Sequence, residues 1–195
     1  MSDVAAILLA AGQSTRFGDE LKLLAQIGGK ALVRHAAEAA VGSLVDPVIV
    51  VTGYRSNEVE AALHGLPVQI LYNALFAQGL STSLKAGFSA LPRTAQAAVI
   101  LLGDMPFVKA DLIDALVAEW RERGEPAALV PTLGGRRGNP VVLSRDLQAV
   151  IEDLSGDVGA GSLLRERSDV LEWPTTDPAV AQDIDTREEL ARHSL

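Results

Sequence analysis

Apolar runs alternate with helix-like repeats through the first two thirds of the chain. An unbroken apolar run predicts a buried strand, and apolar positions that recur every three or four residues predict a helix. The predicted strands are 4–10, 47–53, 67–73 and 97–104, and the predicted helices are 31–44, 56–65, 79–91 and 110–124. Strands that are apolar on both faces are typical of parallel sheets with helices on each side. We therefore expect a three-layer α/β/α fold, doubly wound around a mostly parallel sheet.

The pattern becomes less regular after Gly124. Its apolar segments predict strands at 126–131, 138–144, 169–173 and 179–185, and helices near 145–154, 160–167 and 186–193. We expect this last third to cover the open side of the sheet. Since no linker, low-complexity tract or internal repeat interrupts the chain, we expect one domain over residues 1–195.

The composition limits the cellular compartment that we expect and the kinds of site that the chain can form. The absence of cysteine excludes disulfides, thiolate metal sites and cysteine nucleophiles. Every apolar run is shorter than the ~18 residues that cross a bilayer. The start of the chain also lacks the basic region of a signal peptide. We therefore expect a cytoplasmic protein with no membrane partner.

The net charge is −8, and no basic stripe is present, so no nucleic-acid partner is expected. A few cations focused in a cleft still attract an anionic small molecule, even on an acidic protein. Three scattered histidines without cysteine argue against a zinc site. The segment GLSTS (79–83) lacks the second glycine of a serine hydrolase motif, which argues against that class.

Ligands of open α/β sheets bind beyond the carboxyl ends of the strands. The first such end is the segment VAAILLAAGQSTRFGDELK (4–22). Small residues after a buried strand let backbone N–H groups approach a phosphate, and Arg16 and Lys22 would add charge to the same anion. A plain turn with two solvated cations fits the same residues. The spacing matches neither of the common glycine-rich ATPase and dinucleotide motifs.

Asp104 follows another buried strand, at the same edge of the predicted sheet, within VILLGDMPF (99–107). A carboxylate in that position suits a magnesium ion that also holds phosphate oxygens. A turn or helix-capping aspartate is the alternative interpretation. The residue type alone does not decide between the two.

The two motifs together resemble those of the nucleotidyltransferases with a glycosyltransferase-A-like, Rossmann-like fold. More narrowly, the chain resembles the MobA-like molybdenum cofactor cytidylyltransferases. Four further blocks also fall in the family's order, so the resemblance covers almost the whole chain: GLSTSLKAG (79–87), GRRGNPVVLS (135–144), GDVGAG (156–161) and DIDTREEL (183–190).

The resemblance implies transfer of CMP from CTP to the phosphate of a molybdopterin-type cofactor, with release of pyrophosphate. It divides the chain into a nucleotide-binding part, about 1–106, and an acceptor-binding part, about 107–195. Arg16 is expected at the departing β- and γ-phosphates, and Lys22 at the α-phosphate, as a point charge. The nucleotide-binding residues implied are Leu9, Ala10, Ala11, Gly12, Gln13, Ser14, Thr15, Arg16, Lys22, Ser81, Ser83 and Gly103.

The catalytic residues implied are Lys22, Arg16 and Asp104. The metal ligands implied are Asp104 and Asp185, holding Mg²⁺ with Mn²⁺ as the alternative ion, and Asp183 is an accessory carboxylate. A capping role is an alternative for Asp185, because Glu188 follows it at capping-box spacing. Ser81 and Ser83 have a capping alternative as well.

The resemblance also bears on which nucleotide base is bound and on which residues bind the acceptor. Ala11 stands where related guanylyltransferases have glycine, and its methyl group favours a pyrimidine, hence CTP over GTP. The acceptor-binding residues implied are Arg136, Arg137, Asn139 and Pro140. One departure concerns the acceptor: Gly161 replaces an arginine that relatives carry at the end of the block GDVGAG (156–161).

Three alternatives to this function remain open at the level of the sequence. One is a guanylyltransferase of the same cofactor, and another is a cytidylyltransferase for a different phosphorylated acceptor. The third is a cofactor-binding module without transfer activity, which the loss of the arginine at Gly161 favours. A molybdoenzyme or its maturation chaperone is the macromolecular partner that the resemblance implies.

Overall fold

The computed structural model describes residues 3–13, 17, 20–165 and 167–193. The strands are β1 (Val4–Ala10), β2 (Gln26–Ile27), β3 (Lys30–Ala31), β4 (Val48–Thr52), β5 (Gln69–Tyr72), β6 (Ala97–Leu102), β7 (Ala128–Leu133), β8 (Arg136–Arg137), β9 (Val141–Ser144) and β10 (Val170–Pro174). The helices are α1 (Leu32–Gly42), α2 (Ser56–Ala62), α3 (Leu80–Ser89), α4 (Ala110–Glu122), α5 (Gln148–Glu152), α6 (Ala160–Leu163) and α7 (Arg187–Arg192).

Eight strands form one mixed sheet in the order β10-β7-β9-β6-β1-β4-β5, with β8 paired to β7. The central strands β1, β4, β5 and β6 run parallel, and β9 runs antiparallel to its neighbours β6 and β7. Leu8 of β1 lies opposite Val50 of β4 and Leu101 of β6. Helices cover both faces, so the expected three-layer, doubly wound α/β fold is confirmed.

Both faces of the sheet are apolar because successive side chains of a strand point to opposite sides. Ala6 and Leu8 of β1 pack on one side with α1 and α4, where Trp120 is buried. Ala5 and Ile7 pack on the other side with α3. This double burial explains the unbroken apolar run in the sequence of β1.

The order of the strands creates a crevice at the carboxyl ends of β1 and β6. From β1 the chain proceeds outward to β4 and β5, and α3 then carries it back to β6 on the other side of β1. Connections leaving two adjacent strands in opposite directions open a crevice between them, where ligands of such sheets bind. The loop after β1 and the turn at Asp104 therefore face the same space.

The prediction of a strand at 179–185 is wrong. Residues Pro178–Ala181 form a 3-10 helix instead, which begins where the Asp177 side chain accepts a hydrogen bond from the Ala179 N–H. The backbone of this segment bonds to loops: Asn139 N–H donates to the Val180 carbonyl, and Ile184 N–H donates to the Asp104 carbonyl. Those bonds hold the segment across the ligand edge, outside the ladder of the sheet.

The last third of the chain was expected to cover the open side of the sheet, but it also adds strands to the sheet itself. Three of its strands, β7, β9 and β10, extend the sheet beyond β6. The helix predicted at 145–154 begins as a 3-10 helix over Arg145–Leu147, and only Gln148–Glu152 is α-helical. Within the described residues, no helix is long and apolar enough to cross a membrane.

Candidate active site

Lys22 lies between two carboxylates at the crevice. Its Nζ atom is 2.7 Å from Oδ2 of Asp104 and 2.6 Å from Oδ1 of Asp185. The two aspartates lie far apart in the sequence, and the fold brings them to one ammonium group. The exposed fractions of the three side chains are 12% for Lys22, 20% for Asp104 and 43% for Asp185, so the group lies at the protein–solvent boundary.

Buried neighbours fix the position of Lys22 and Asp104. Lys22 begins a 3-10 helix, and the next residue, Leu23, is buried against Gly103. A Cβ atom at Gly103 would lie 3.1 Å from Leu23 and 3.3 Å from the Leu9 carbonyl oxygen, which is a tight approach. Glycine before Asp104 therefore allows the turn after β6 to pack closely against the segment that carries Lys22.

Asp185 is anchored on both sides along the chain. Ile184 is buried in a small cluster with Phe17 and Leu32. After it, Thr186 and Glu189 form a capping box at the start of α7, and Glu189 also accepts a hydrogen bond from the Asp185 N–H at 2.8 Å. The capping box therefore lies one residue later than the spacing from Asp185 suggested, and the Asp185 side chain faces Lys22.

The electrostatics of the group follow from burial and from these ion pairs. Burial alone would lower the pKa of the Lys22 ammonium, but Asp104 and Asp185 outweigh it, so the pKa is raised. Lys22 is therefore charged at neutral pH. Burial is also the main reason that the pKa of Asp183 is raised, and the charges of Asp185 and Asp104 add to the effect.

The donor set fits a divalent cation. The Oδ1 atom of Asp104 is buried and has no hydrogen-bond partner among the described residues, and an unpaired buried carboxylate oxygen is costly unless a ligand satisfies it. Asp185 presents a second carboxylate to the same Lys22 ammonium group. Carboxylate oxygens are hard ligands that suit Mg²⁺ or Mn²⁺ when phosphate oxygens and water complete the shell.

A cavity of about 590 Å³, called the first cavity below, opens beside this group. Of the residues implied for nucleotide binding, Ala11, Gly12, Gln13, Lys22 and Ser83 line it. Ser14, Thr15 and Arg16 lie outside the described residues. Leu9, Ala10 and Gly103 are buried and do not line it, and Gly103 N–H donates to the Leu9 carbonyl at 3.1 Å.

The opposite wall of the first cavity comes from the segment between β5 and α3. Phe76, Ala77, Gln78, Gly79 and Leu80 line it, together with Asp157. From this region the sequence implied Ser81 and Ser83 for nucleotide binding, but it did not single out Phe76, Gln78 or Asp157. The aromatic residue and the amide just after the predicted strand 67–73 were the signal that could have indicated them.

A polar network fixes the start of α3. Asn73 donates from Nδ2 to Thr82 Oγ1 at 2.8 Å and to Ser83 Oγ at 3.0 Å. Ser81 donates from Oγ to the Gly156 carbonyl at 2.8 Å, and it does not line the first cavity. The capping alternative for these serines does not apply, because Gly79 is the N-cap residue of α3 and no side chain caps it.

The residues implied for acceptor binding lie around two further cavities. A cavity of about 430 Å³, the second cavity, is lined in part by Arg137 and Asn139. A third cavity, about 320 Å³, is lined by the same two residues with Arg136 and Asp183. Pro140 is buried and lines neither of them.

Arg136 and Arg137 differ in their contacts. Arg137 donates from Nε to Glu172 Oε1 and from Nη1 to the Leu164 carbonyl, both at 2.8 Å. Arg136 is exposed and faces the third cavity. Arg137 is thus held in place by contacts with the rest of the protein.

The family described as "MobA-like NTP transferase domain" matches residues 6–170 of this chain. The molybdenum cofactor cytidylyltransferase of Escherichia coli K12 is 32% identical over 146 residues, which are 74% of this chain and 72% of that protein. The bifunctional protein GlmU of Anaeromyxobacter dehalogenans 2CP-C is 36% identical over 140 residues. That match covers 69% of this chain but only 29% of GlmU, so the chain spans less than a third of that relative.

Solved structures of similar chains show the same fold. The Rv0371c homolog from Mycobacterium sp. strain JC1 is 30% identical, with a TM-score of 0.82 over 97% of this chain and 94% of that one. Rv0371c from Mycobacterium tuberculosis H37Rv, in complex with manganese, is 23% identical, with a TM-score of 0.80 over 99% and 98%. The arrangement of the sheet and helices is therefore that of these proteins over nearly the whole chain.

Proposed function

The chain belongs to the MobA-like NTP transferase family, and from that premise we propose that it is a metal-dependent cytidylyltransferase. The proposed reaction transfers CMP from CTP to the phosphate of a molybdopterin-type cofactor and releases pyrophosphate. The observation that carries the proposal is the contact of Lys22 with Asp104 and Asp185 beside the first cavity. A protein that only stores a cofactor has little need of a lysine held between two carboxylates.

The reaction requires one bond exchange at the α-phosphorus of CTP. An oxygen of the acceptor phosphate forms a bond to that phosphorus, and the bond to the bridging oxygen of pyrophosphate breaks. The barrier falls mainly through positioning and through neutralisation of the charge that develops on the phosphate oxygens. Lys22 supplies a fixed positive charge for this purpose, since its pKa is raised and it stays protonated.

Asp104 and Asp185 are the residues that would hold a divalent cation, which when bound supplies charge neutralisation at the phosphates. The free Oδ1 atom of Asp104 supports this assignment. The backbone after β1, at Ala11, Gly12 and Gln13, faces the first cavity and would contact the triphosphate. Arg16, outside the described residues, keeps its proposed place at the departing phosphates.

The preference for CTP rests on the packing around Ala11. Ala11 is buried, and a Cβ atom at neighbouring Gly53 would lie within 2.9 Å of the Ala11 methyl group and 2.6 Å of Phe76. The methyl group therefore cannot recede into the wall of the first cavity, and we expect it to leave less space for a purine than glycine would. Ser83, held by Asn73, supplies a hydroxyl group on the facing wall.

A pyrophosphate-release assay tests the proposed function. The protein is incubated with each of CTP, GTP, ATP and UTP, with and without molybdopterin, in Mg²⁺, in Mn²⁺ or in a chelator. We expect release with CTP and molybdopterin when either metal is present, and none in the chelator. Preference for GTP would contradict the assignment of the base, and turnover with none of the four would favour the cofactor-binding module.

A further inference from the structure

The ammonium group of Lys22 occupies the space between the two carboxylates that would hold a divalent cation. Its Nζ atom donates to Asp104 Oδ2 at 2.7 Å and to Asp185 Oδ1 at 2.6 Å. A cation bound to these same oxygens needs the space in which the ammonium lies, because the distance from Mg²⁺ to its ligand oxygens is shorter still, about 2.0–2.1 Å. Lys22 and a divalent cation therefore compete for one position.

The carboxylate pair does not depend on Lys22 for its position. Ile184 N–H donates to the Asp104 carbonyl at 3.0 Å, which joins the two carboxylate-bearing segments through their backbones. Ile184 is buried, and Asp185 N–H donates to Glu189 of the capping box at 2.8 Å. We therefore expect the two carboxylates to stay close together when the lysine is removed.

The backbone of Lys22 is fixed, but its side chain can turn. Leu21 and Leu23, on either side of it, are buried, whereas Lys22 lines the first cavity. An ammonium group has three donors on a flexible four-carbon stem. Among the described residues, Asp104 and Asp185 accept from two of these donors. A phosphate in the first cavity can therefore bind the same ammonium and draw it away from the carboxylates.

The charge of the group favours one cation at a time in the free protein. A divalent cation alone neutralises the carboxylates of Asp104 and Asp185. An ammonium beside it would add an uncompensated positive charge where the Lys22 side chain is only 12% exposed, and like charges repel more strongly where water is scarce. The phosphates of a nucleotide change this balance, because their negative charge requires the lysine as well as the cation.

We propose that Lys22 blocks the metal site of the free protein, and that the phosphates of a bound nucleotide release the block by binding its ammonium group. The first half depends only on the contacts of Lys22, and the second half rests on the proposed function. If the ammonium lies on the carboxylates in about 99% of the free molecules, it weakens the apparent affinity for a cation about 100-fold.

Titration of the nucleotide-free protein with Mn²⁺, followed by electron paramagnetic resonance, tests the first half. Lys22→Met removes the charge and keeps the length of the side chain, and Lys109→Met is the matched control at an exposed lysine. We expect Lys22→Met to bind Mn²⁺ at least about tenfold more tightly than the wild type and the control. Lys22→Gln should show the same gain and decides the test if the methionine variant does not fold. Adding Asp185→Asn to either variant should remove the gain, which would locate the ion at this site.

Titration with the Mn²⁺ complex of CTP tests the second half. Because the phosphates already hold the lysine in this complex, the gain seen with Mn²⁺ alone should be absent, and Kd should differ less than about threefold between the wild type and Lys22→Met. A tenfold gain for the complex as well would overturn the release of the block by the nucleotide.

The remaining outcomes separate this inference from the proposed function. Unchanged or weaker Mn²⁺ binding by the folded Lys22 variants would overturn the block, since the lysine would then help to build the metal site. Tighter Mn²⁺ binding by these variants, in a protein that transfers no CMP, would support the block and contradict only the proposed function. Failure of the wild type to bind the CTP complex would overturn the second half and leave the first intact.

Discussion

At the scale of single residues, Lys22 is the group whose loss should be most visible in the kinetics. Its ammonium lies between Asp104 and Asp185, where the charge of a transferring phosphate would develop. We expect Lys22→Ala to lower kcat by about 10²–10³-fold and to change KM for CTP by less than about threefold. Steady-state pyrophosphate release measures both constants.

Lys109→Ala is the matched control, since Lys109 is an exposed lysine at the start of α4. It should retain the kcat of the wild type. If Lys22→Ala raised only KM, the interaction would be equally strong in the ground state and the transition state, and Lys22 would be a binding residue.

Asp104 is the residue whose substitution should weaken metal binding. Its buried Oδ1 atom has no partner among the described residues, and only a charged carboxylate binds a cation strongly at this position. We expect Asp104→Asn to weaken Mn²⁺ binding by at least about tenfold and to abolish metal-dependent turnover. Isothermal titration with Mn²⁺ in the presence of CTP measures the affinity.

Asp153→Asn removes the same charge from an exposed loop and serves as the control for Asp104. It should titrate like the wild type. Unchanged Mn²⁺ affinity in Asp104→Asn would remove this carboxylate from the metal site, whatever happened to the activity.

At the scale of elements, the start of α3 depends on its contact with residues 156–157. Gly79 has φ +111° and ψ 170°, and a Cβ atom there would lie 2.3 Å from the Gly156 carbonyl. We expect Gly79→Ala to cost about 3 kcal/mol of unfolding free energy, from strain and from the clash together. It should also weaken CTP binding, because Gly79 lines the first cavity.

Gly65→Ala measures the cost of backbone strain without a clash, since Gly65 also has positive φ (+84°) but no heavy atom within 4 Å of its Cβ position. Its cost should be about 1 kcal/mol, with CTP binding unchanged. Urea denaturation and CTP titration of both variants measure the difference. Equal costs for the two variants would show that the contact between α3 and the 156–157 loop is unimportant.

The junction of β3 and α1 contains an ion pair with a defined pH dependence. Lys30, and then Arg34, hydrogen-bond to Glu38 and lower the pKa of that carboxyl from its usual 4.5. A lowered native pKa stabilises the fold above the unfolded value and loses this effect as the pH falls through the native value. We expect Glu38→Gln to cost about 0.5 kcal/mol at pH 7, since the pair is partly exposed.

The cost of Glu38→Gln should vanish at a pH well below 4.5, where the wild-type carboxyl is protonated as well. Glu122→Gln, at an exposed position of α4, should show no comparable change between the two pH values. Thermal unfolding at both pH values checks this, and a pH-independent cost would mean that packing, rather than charge, is lost.

Long buried elements could be predicted from the sequence, and short ones could not. The expected strand 4–10 has the bounds of β1, because burial on both faces produces an unbroken apolar run. The two-residue strands β2 and β3 are too short to show any period. The segment 179–185 is apolar because Val180 and Ile184 are buried, but its backbone bonds to loops rather than to strands.

At the scale of the whole molecule, the mostly parallel sheet was predicted, but the order of its strands and the antiparallel direction of β9 were not. The apolar run of β9 does not indicate that it runs antiparallel between β6 and β7. The crevice beside β1, in contrast, follows from strand alternation alone. The contact between Lys22 and Asp185 spans 163 positions of sequence, so only the family resemblance could suggest it beforehand.

This long-range contact predicts how ligands affect the stability of the whole protein. Lys22 and Asp104 come from the first 106 residues and Asp185 from the last third, so a bound CTP–metal complex would connect the two parts. A ligand that binds only the folded state, present at about 100 times its Kd, adds about 2.7 kcal/mol to the free energy of unfolding.

We expect this increment from CTP with Mg²⁺ in the wild type and in Asp153→Asn, measured by urea denaturation at fixed ligand concentrations. Asp185→Asn should lose about half of the increment at the same concentrations, because a ligand bound tenfold more weakly adds about 1.4 kcal/mol less. A full increment in Asp185→Asn would show that the last third does not contribute to nucleotide binding and would confine the site to the carboxyl ends of β1 and β6.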